Sequence, residues 1–229
     1  ISNIFIKFLI KFIKEFKIKK NNIDAISLSG QTMYHNPSAG MSIQLGSGKI
    51  IANDIGIKTI ANLRDNDIKN KGQGAPIGSY YHRYILSKLK VKSIIVNLGG
   101  IANFSYIDKK NIVSSDIGPA NCIIDDLSNY FFKKKYDKNG NLAAKGRPIY
   151  RILNSFEKDI FFNKKFPKSL DRNYFNKYYK KLIKINKYDA LCTATYMVLI
   201  SFEKFLNKSK IKFSKIIVTG GGRKNNYLL

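Results

Sequence analysis

Apolar and polar positions follow a helical period over residues 4–20, IFIKFLIKFIKEFKIKK, where Lys7, Lys11 and Lys14 share one face and Ile6, Leu9, Ile10, Ile13 and Phe16 lie largely opposite. The pattern predicts an amphipathic helix. A basic helix of this kind can lie on a membrane or serve in targeting, but no signal-cleavage pattern follows it, and it runs into a strand-like segment, Ala25 to Leu28. A helix packed on a core and feeding a sheet is the better reading. Next come a strand over Ser42 to Leu45, a turn at Gly46 to Gly48 and an apolar stretch, Ile50 to Ala52. The tetrapeptide Gly46-Ser47-Gly48-Lys49 is read as a hairpin turn, because Ile43 and Ile50 stand where a phosphate loop requires Gly and Ser or Thr. Residues 72–76, Gly-Gln-Gly-Ala-Pro, form a loop ahead of a helix containing Tyr80 to Leu89, and Lys88 to Lys92 reads as the junction between two domains, 1–90 and 91–229.

The second domain opens on the apolar strand Ser93 to Asn97, and the glycine pair Gly99-Gly100 turns it into a β-hairpin that runs to Tyr106. The run Ile112 to Ile117 enters the turn Asp116-Ile117-Gly118-Pro119-Ala120-Asn121, followed by a helix from about Cys122 to Lys133. Ala190 to Leu206 is apolar with helical period, and the strand Lys215 to Thr219 ends in Gly220-Gly221-Gly222. Strands and helices alternate throughout, so the expected class is α/β.

Composition narrows the picture. At 229 residues and 44% apolar content the chain can bury a substantial core, and no apolar run approaches the ~18 residues of a transmembrane helix. Cys122 and Cys192 are too few for a disulfide framework, which points to a reducing, cytoplasmic setting. The first residue is Ile1, and the chain ends at Leu229, seven residues beyond a glycine triplet, so it reads as a fragment of a longer protein. The net charge of +26 suggests nucleic acid or an anionic membrane, yet 35 of the 41 basic residues are Lys, scattered among Ile and Asn. That distribution reads as compositional bias, with no specific nucleic-acid partner and no membrane.

Asp116, in a Gly/Pro-rich turn between strand and helix, is either a general base with phosphate-holding amides beside it or the N-cap of the helix. The glycine triplet either lets backbone approach an adenosine closely or is an ordinary strand-to-helix turn. His35 and His82 have no second ligand at metal spacing, so no metal site is expected from them; each is solvated or bonds substrate. Arg64 with Asp65 and Asp67 either binds a polar substrate or forms a surface pair.

Taken in order, Ser29-Gly30-Gln31-Thr32-Met33-Tyr34-His35, Leu63 to Ile68 with Gly72-Gln73-Gly74-Ala75-Pro76, Asn97-Leu98-Gly99-Gly100-Ile101-Ala102-Asn103, Asp116 to Asn121, Tyr136-Asp137-Lys138, Pro167-Lys168-Ser169, and Gly220-Gly221-Gly222 with Asn225 have the order and spacing of one family. The chain resembles the anhydro-N-acetylmuramic acid kinases. The resemblance implies two ribonuclease-H-like lobes of the actin, hexokinase and Hsp70 superfamily around a cleft, the first lobe incomplete. It also implies a reaction: water opens the 1,6-anhydro bridge of the amino sugar and the γ-phosphoryl of ATP passes to O6, with Mg²⁺ at the phosphates, during peptidoglycan recycling. Asp116 takes the base role. Gly30, Gln31, Thr32, Arg64, Asp67, Gln73 and Gly74 fall on the sugar side, and Gly118, Asn121, Gly220, Gly221 and Gly222 on the nucleotide side; a homodimer is an open arrangement. Ile117 stands where the family has Thr, Ala120 where it has Gly, and Ser29 where it has His, departures that bear on rate more than on fold. The family's GTSxDG phosphate loop would precede Ile1, and its C-terminal tail would follow Leu229. A basic binding module for nucleic acid or membrane surfaces and a non-catalytic paralogue are the competing readings.

Overall fold

The computed structural model describes residues 1–108 and 111–229. The chain divides into two compact units, Ile1–Ile77 and Gly78–Leu229.

In the first unit, helix α1 (Ser2–Glu15) precedes a short strand β1 (Ile26–Ser27), the hairpin β2 (Gln31–Asn36) and β3 (Met41–Leu45), helix α2 (Gly48–Ile55), strand β4 (Thr59–Ile60) and helix α3 (Asp65–Lys69). The hairpin turns through Asn36, whose Oδ1 accepts from Ala39 N at 3.2 Å, and through left-handed Gly40. The Gly46–Lys49 segment corrects the sequence reading. It is no hairpin turn: Ser47 caps α2, its Oγ accepting from Ile50 N, and Gly56 closes the helix with φ 74°. The four-residue spacing of Ile51 and Ile55 decides it, since both bury against Ile6 of α1 and Ile57. β1 and β4 pair in parallel beside this core.

The second unit begins with α4 (Ser79–Ser87), which packs on the sheet of β5 (Ser93–Leu98), β6 (Ile101–Asp108) and β7 (Asn111–Pro119). This packing explains why the units part at 77/78 and not at 88–92, where the sequence placed the junction: α4 is bound to the sheet of β5, β6 and β7. α5 (Asn121–Phe132), α6 (Tyr150–Glu157), α7 (Asn176–Leu182), α8 (Lys187–Ser209) and β8 (Lys215–Thr219) complete the unit. The strand order is β7-β6-β5-β8, an antiparallel meander with β8 parallel to β5. Three antiparallel strands, a helical crossover and a return beside the first strand make the ribonuclease-H-like arrangement, so the α/β class holds. Among the described residues no helix is long and apolar enough to cross a membrane.

One face of this sheet presents Ile94, Val96, Leu98, Ala102 and Phe104 to α5 and α8, where Phe156, Phe161, Phe162, Phe175 and Phe205 fill the core. The alternate positions on the strands therefore point the other way. Asn97, Asn103 and Asp116 stand on that second face.

Candidate active site

The strand registers set four polar residues in a row across the four-stranded sheet of the second unit. Thr219 of β8 lies opposite Asn97 of β5, Asn97 opposite Asn103 of β6, and Asn103 opposite Asp116 of β7. All four alternate with core-facing neighbours, so they share the face away from α8, near the carboxyl ends of the parallel pair β5 and β8, where α/β sheets bind ligands. Thr219 Oγ1 donates to Asn97 Oδ1 at 3.4 Å. A bulge beside the row shifts the register between Ala102 and Asn103, with Ala102 opposite Gly118 and Asn103 opposite Asp116. The residue left over is Ile117, which joins the core.

Asp116 is buried at 7% exposure and fixed from the sheet edge. Its Oδ2 accepts from Leu170 N at 2.7 Å, and its own N–H donates to Lys168 O at 2.9 Å. Fully buried Ser115 completes the attachment, its Oγ accepting from Lys168 N at 2.8 Å and donating to Lys168 O at 3.0 Å. Lys168 plugs the loop into the core: its Nζ donates to Phe161 O at 2.9 Å and sits 4.0 Å over the Phe161 ring. Burial lowers the Lys168 ammonium to about 8, helped by Lys208 and Lys164 and opposed by Asp116. The N-cap reading of Asp116 does not describe this geometry, because Asp116 lies within β7 and α5 takes Ala120 as its N-cap.

The glycine triplet follows β8 directly. Gly220 has φ 82°, and a Cβ there would lie 2.6 Å from Asn97 Oδ1 and from Leu98 O; one on Gly222 would lie 2.6 Å from Leu98 Cβ. Packing against β5 thus accounts for two of the three. Gly221 differs, since the nearest atom to its Cβ position is Asn121 Nδ2 at 3.8 Å. It opens on a cavity of about 460 Å³ lined by Asn121, Asp125, Asp137 and Asn225 among others. Asn121 is anchored by its Nδ2, which donates to Leu98 O and Gly99 O at 2.8 Å. Asp137 spends its carboxylate on Leu142 N and Ala143 N, both at 2.9 Å. Asp125 is half-buried in the cavity wall, and burial raises its carboxyl to about 6, with neighbouring Asp126 adding and Arg172 opposing. The structure places Gly118 elsewhere: it is buried in β7, where a Cβ would overlap Ser201 of α8, so packing alone requires glycine there.

In the first unit, the residues expected on the sugar side form one cluster. Arg64 Nη1 donates to Gly74 O at 2.7 Å and Nη2 to Thr32 Oγ1 at 3.4 Å, while Gly74 N donates to Asp67 Oδ2 at 2.6 Å. A Cβ on Gly72 would overlap the Asp67 carboxylate, and Gly74 has φ 61°, so the loop of Gln73 wraps the Asp67 side chain tightly. Gly30, at φ 65° with Leu45 O 2.6 Å from its Cβ position, turns the chain into Gln31 at the head of β2. It also borders an open groove of about 560 Å³ whose other walls include Phe5, Phe8 and Phe12.

The two histidines hold the scaffold together. His35 Nδ1 meets Ser42 Oγ at 2.9 Å across the hairpin, and His82 Nδ1 meets Ser105 Oγ at 2.7 Å, tying α4 to β6; burial lowers the His82 imidazole. Among the described residues no group of three or more His, Cys, Asp or Glu could hold a metal ion. Sequence reasoning missed Asn97, Asn103 and Asp125 as individual residues. The signal for the first two was legible: two asparagines flanking a Gly-Gly hairpin turn symmetrically enough to face each other.

The anhydro-N-acetylmuramic acid kinase family matches residues 1–229. A relative from Gamma-proteobacterium EBAC31A08, named anhydro-N-acetylmuramic acid kinase, is 34% identical over 218 residues, covering 93% of this chain and 60% of its own length. Proteins of the same name from Legionella pneumophila strain Philadelphia 1 and Caldanaerobacter subterraneus subsp. tengcongensis are 35% and 33% identical, over 95% and 100% of this chain and 61% and 64% of theirs. A solved structure, the activator of the 2-hydroxyisocaproyl-CoA dehydratase from Clostridium difficile with bound ADPNP, aligns at 12% identity and a TM-score of 0.48 over 96% of this chain and 67% of its own, too slight a likeness to carry weight. The chain spans about three fifths of the length of these curated relatives, and with its whole sequence matched it belongs to the anhydro-N-acetylmuramic acid kinase family.

Proposed function

We propose that the full-length protein uses water to open 1,6-anhydro-N-acetylmuramic acid and transfers the γ-phosphoryl of ATP to its O6, giving N-acetylmuramic acid 6-phosphate for peptidoglycan recycling. The observation that carries this reading is Asp116: a buried carboxylate fixed by Leu170 N, in a polar row at the strand ends beside a glycine turn that opens on a cavity. Water is a poor nucleophile. A fixed carboxylate removes its proton as the water oxygen bonds C1; the C1–O6 bond breaks, and O6 attacks the γ-phosphorus as ADP departs.

Gly221 is the glycine whose open side suits close approach by a nucleoside, with Asn121, Gly220 and Gly222 shaping the same wall and Gly118 acting through packing. Gly30, Gln31, Thr32, Arg64, Asp67, Gln73 and Gly74 are assigned to the amino sugar, the Arg64 hydrogen bonds holding that cluster in shape. Thr219 and Asn97 offer neutral oxygen donors, which fit a hard cation that keeps most of its waters and is held chiefly by phosphate. Mg²⁺ bound there would offset phosphate charge during transfer. The buried thiols Cys122 and Cys192 favour a reducing cytoplasm, and the dominance of Lys over Arg argues against a specific nucleic-acid partner.

The test is the full-length protein with ATP, Mg²⁺ and the anhydro sugar. Wild type is expected to release the 6-phosphate, and Asp116→Asn to fold normally while losing about 10²- to 10⁴-fold in turnover. A variant that turns over within a few-fold of wild type would remove Asp116 from the base role.

A further inference from the structure

Asn103 is buried at 9% exposure, and its Oδ1 meets no donor among the described residues. A buried acceptor without a donor is destabilising, so a position that keeps one calls for an explanation. Asn103 stands directly opposite Asp116 across the β6–β7 ladder, on the face away from the core. Opposed side chains in such a ladder start from Cβ atoms about 4.5–5.5 Å apart, near enough for one water molecule to bridge them.

We propose that Asn103 is a second catalytic residue, its Oδ1 accepting one hydrogen of the attacking water while Asp116 takes the other. The inference rests on the kinase reading and on Asp116 as base. The chemistry asks for such an acceptor. Water brings two hydrogens, and a single carboxylate leaves the molecule free to rotate about one hydrogen bond. With both hydrogens held, a lone pair of the oxygen is fixed in direction. As the oxygen bonds C1 and the C1–O6 bond breaks, one proton passes to Asp116; the other stays on the new C1 hydroxyl, still bonded to Asn103 Oδ1. Substrate and water thus satisfy this acceptor in the working site.

This predicts a difference between water and methanol as nucleophiles. Methanol has one hydroxyl hydrogen, which Asp116 removes, and nothing remains for Asn103 to hold. The experiment uses full-length enzyme with ATP, Mg²⁺ and the anhydro sugar in buffer containing methanol, scoring N-acetylmuramic acid 6-phosphate against its methyl glycoside. Asn103→Leu keeps the volume and deletes the acceptor. It is expected to lower kcat in water about 10- to 100-fold, to leave both KM values within about threefold, and to raise the methyl glycoside share several-fold. Asn103→Ser, which retains an acceptor, is expected to recover preference for water. Should Asn103→Leu not fold, Asn103→Ser against Asn103→Ala makes the same comparison, with the serine variant the more selective for water. A wild-type kcat in Asn103→Leu overturns the proposal, as does a reduced kcat with a methanol share no greater than that of wild type. A wild-type enzyme inert on the anhydro sugar refutes the kinase reading itself, whereas an active wild type with an indifferent Asn103 refutes this inference alone.

Discussion

Three consecutive glycines look equivalent in the sequence and are not equivalent in the fold. Gly220 needs its positive φ and has Leu98 O and Asn97 Oδ1 2.6 Å from its Cβ position, whereas Gly221 has 3.8 Å of clearance toward Asn121. Gly220→Ala is therefore expected to destabilise the fold by more than about 1 kcal/mol, seen as a lower urea midpoint. Gly221→Ala should melt near wild type but bind ATP more weakly, since its methyl enters the cavity; titration calorimetry reads this, and unchanged ATP affinity would detach Gly221 from the nucleotide. Asp125 poses the opposite case, a residue of no sequence motif that the cavity singles out. Its folded carboxyl, at about 6, holds a proton that the unfolded chain has already lost near 3.8. The folded state thus gains most from this group at low pH, and the gain is lost as pH rises through 6. Asp125→Asn removes that dependence, so its Tm advantage over wild type should grow from pH 4 to pH 7 and then level off. A difference in Tm that stays constant over that range would contradict the burial assigned to Asp125.

Elements were legible where one periodicity ruled and illegible where two signals competed. The meander β5–β6–β7, α5, α8 and β8 were all readable from apolar runs and the Gly99-Gly100 turn, because their buried faces repeat cleanly. α2 was misread because Gly46-Ser47-Gly48 carries turn chemistry, and the serine uses it to cap a helix instead of joining strands. The bulge that sets Asp116 opposite Asn103 leaves no trace in composition, since a single extra residue in β7 becomes visible only in the pairing. Nor does the sequence show that the 168–170 segment fixes Asp116, with Leu170 lying 54 positions further along the chain. Ser115 is the joint of that attachment. Ser115→Ala would leave the buried Lys168 N–H without its acceptor and should cost about 1–3 kcal/mol in denaturant unfolding. Turnover should fall as well, with little change in KM, because a loosened loop carries the Leu170 N–H away from the carboxylate. Lost stability with wild-type kcat would show that the Ser115–Lys168 joint serves the fold and leaves the base untouched.

At the scale of the molecule, the two units rest on cores of very different size. The first has Ile6, Ile51, Ile55 and Ile57 as its buried cluster, with Phe5, Leu9 and Ile13 partly covered against it, and Ile4, Phe8, Phe12 and Phe16 of the same region exposed. The second encloses its sheet face between α5 and α8 with a large aromatic cluster, and the hydrogen bonds fixing Asp116, Asn121 and Asp137 all close within it. Buried area rises faster than linearly with size, so a 77-residue unit whose core cluster is four buried isoleucines, with Ile68 buried apart from them, is marginal, while 152 residues around one continuous core are self-sufficient. The polar row, the glycine turn and the cavity likewise belong entirely to residues 78–229. Expressed alone, residues 78–229 are expected to unfold in a single cooperative transition, whereas residues 1–77 alone should show no cooperative melt. If the nucleotide wall is as complete as its internal hydrogen bonds imply, the isolated second unit should also bind ADP, more weakly than the full-length protein, and lose that binding in Gly221→Ala. A second unit that melts cooperatively yet binds no ADP would mean that the nucleotide depends on residues outside 78–229, and would move the adenosine assignment away from the cavity beside Gly221.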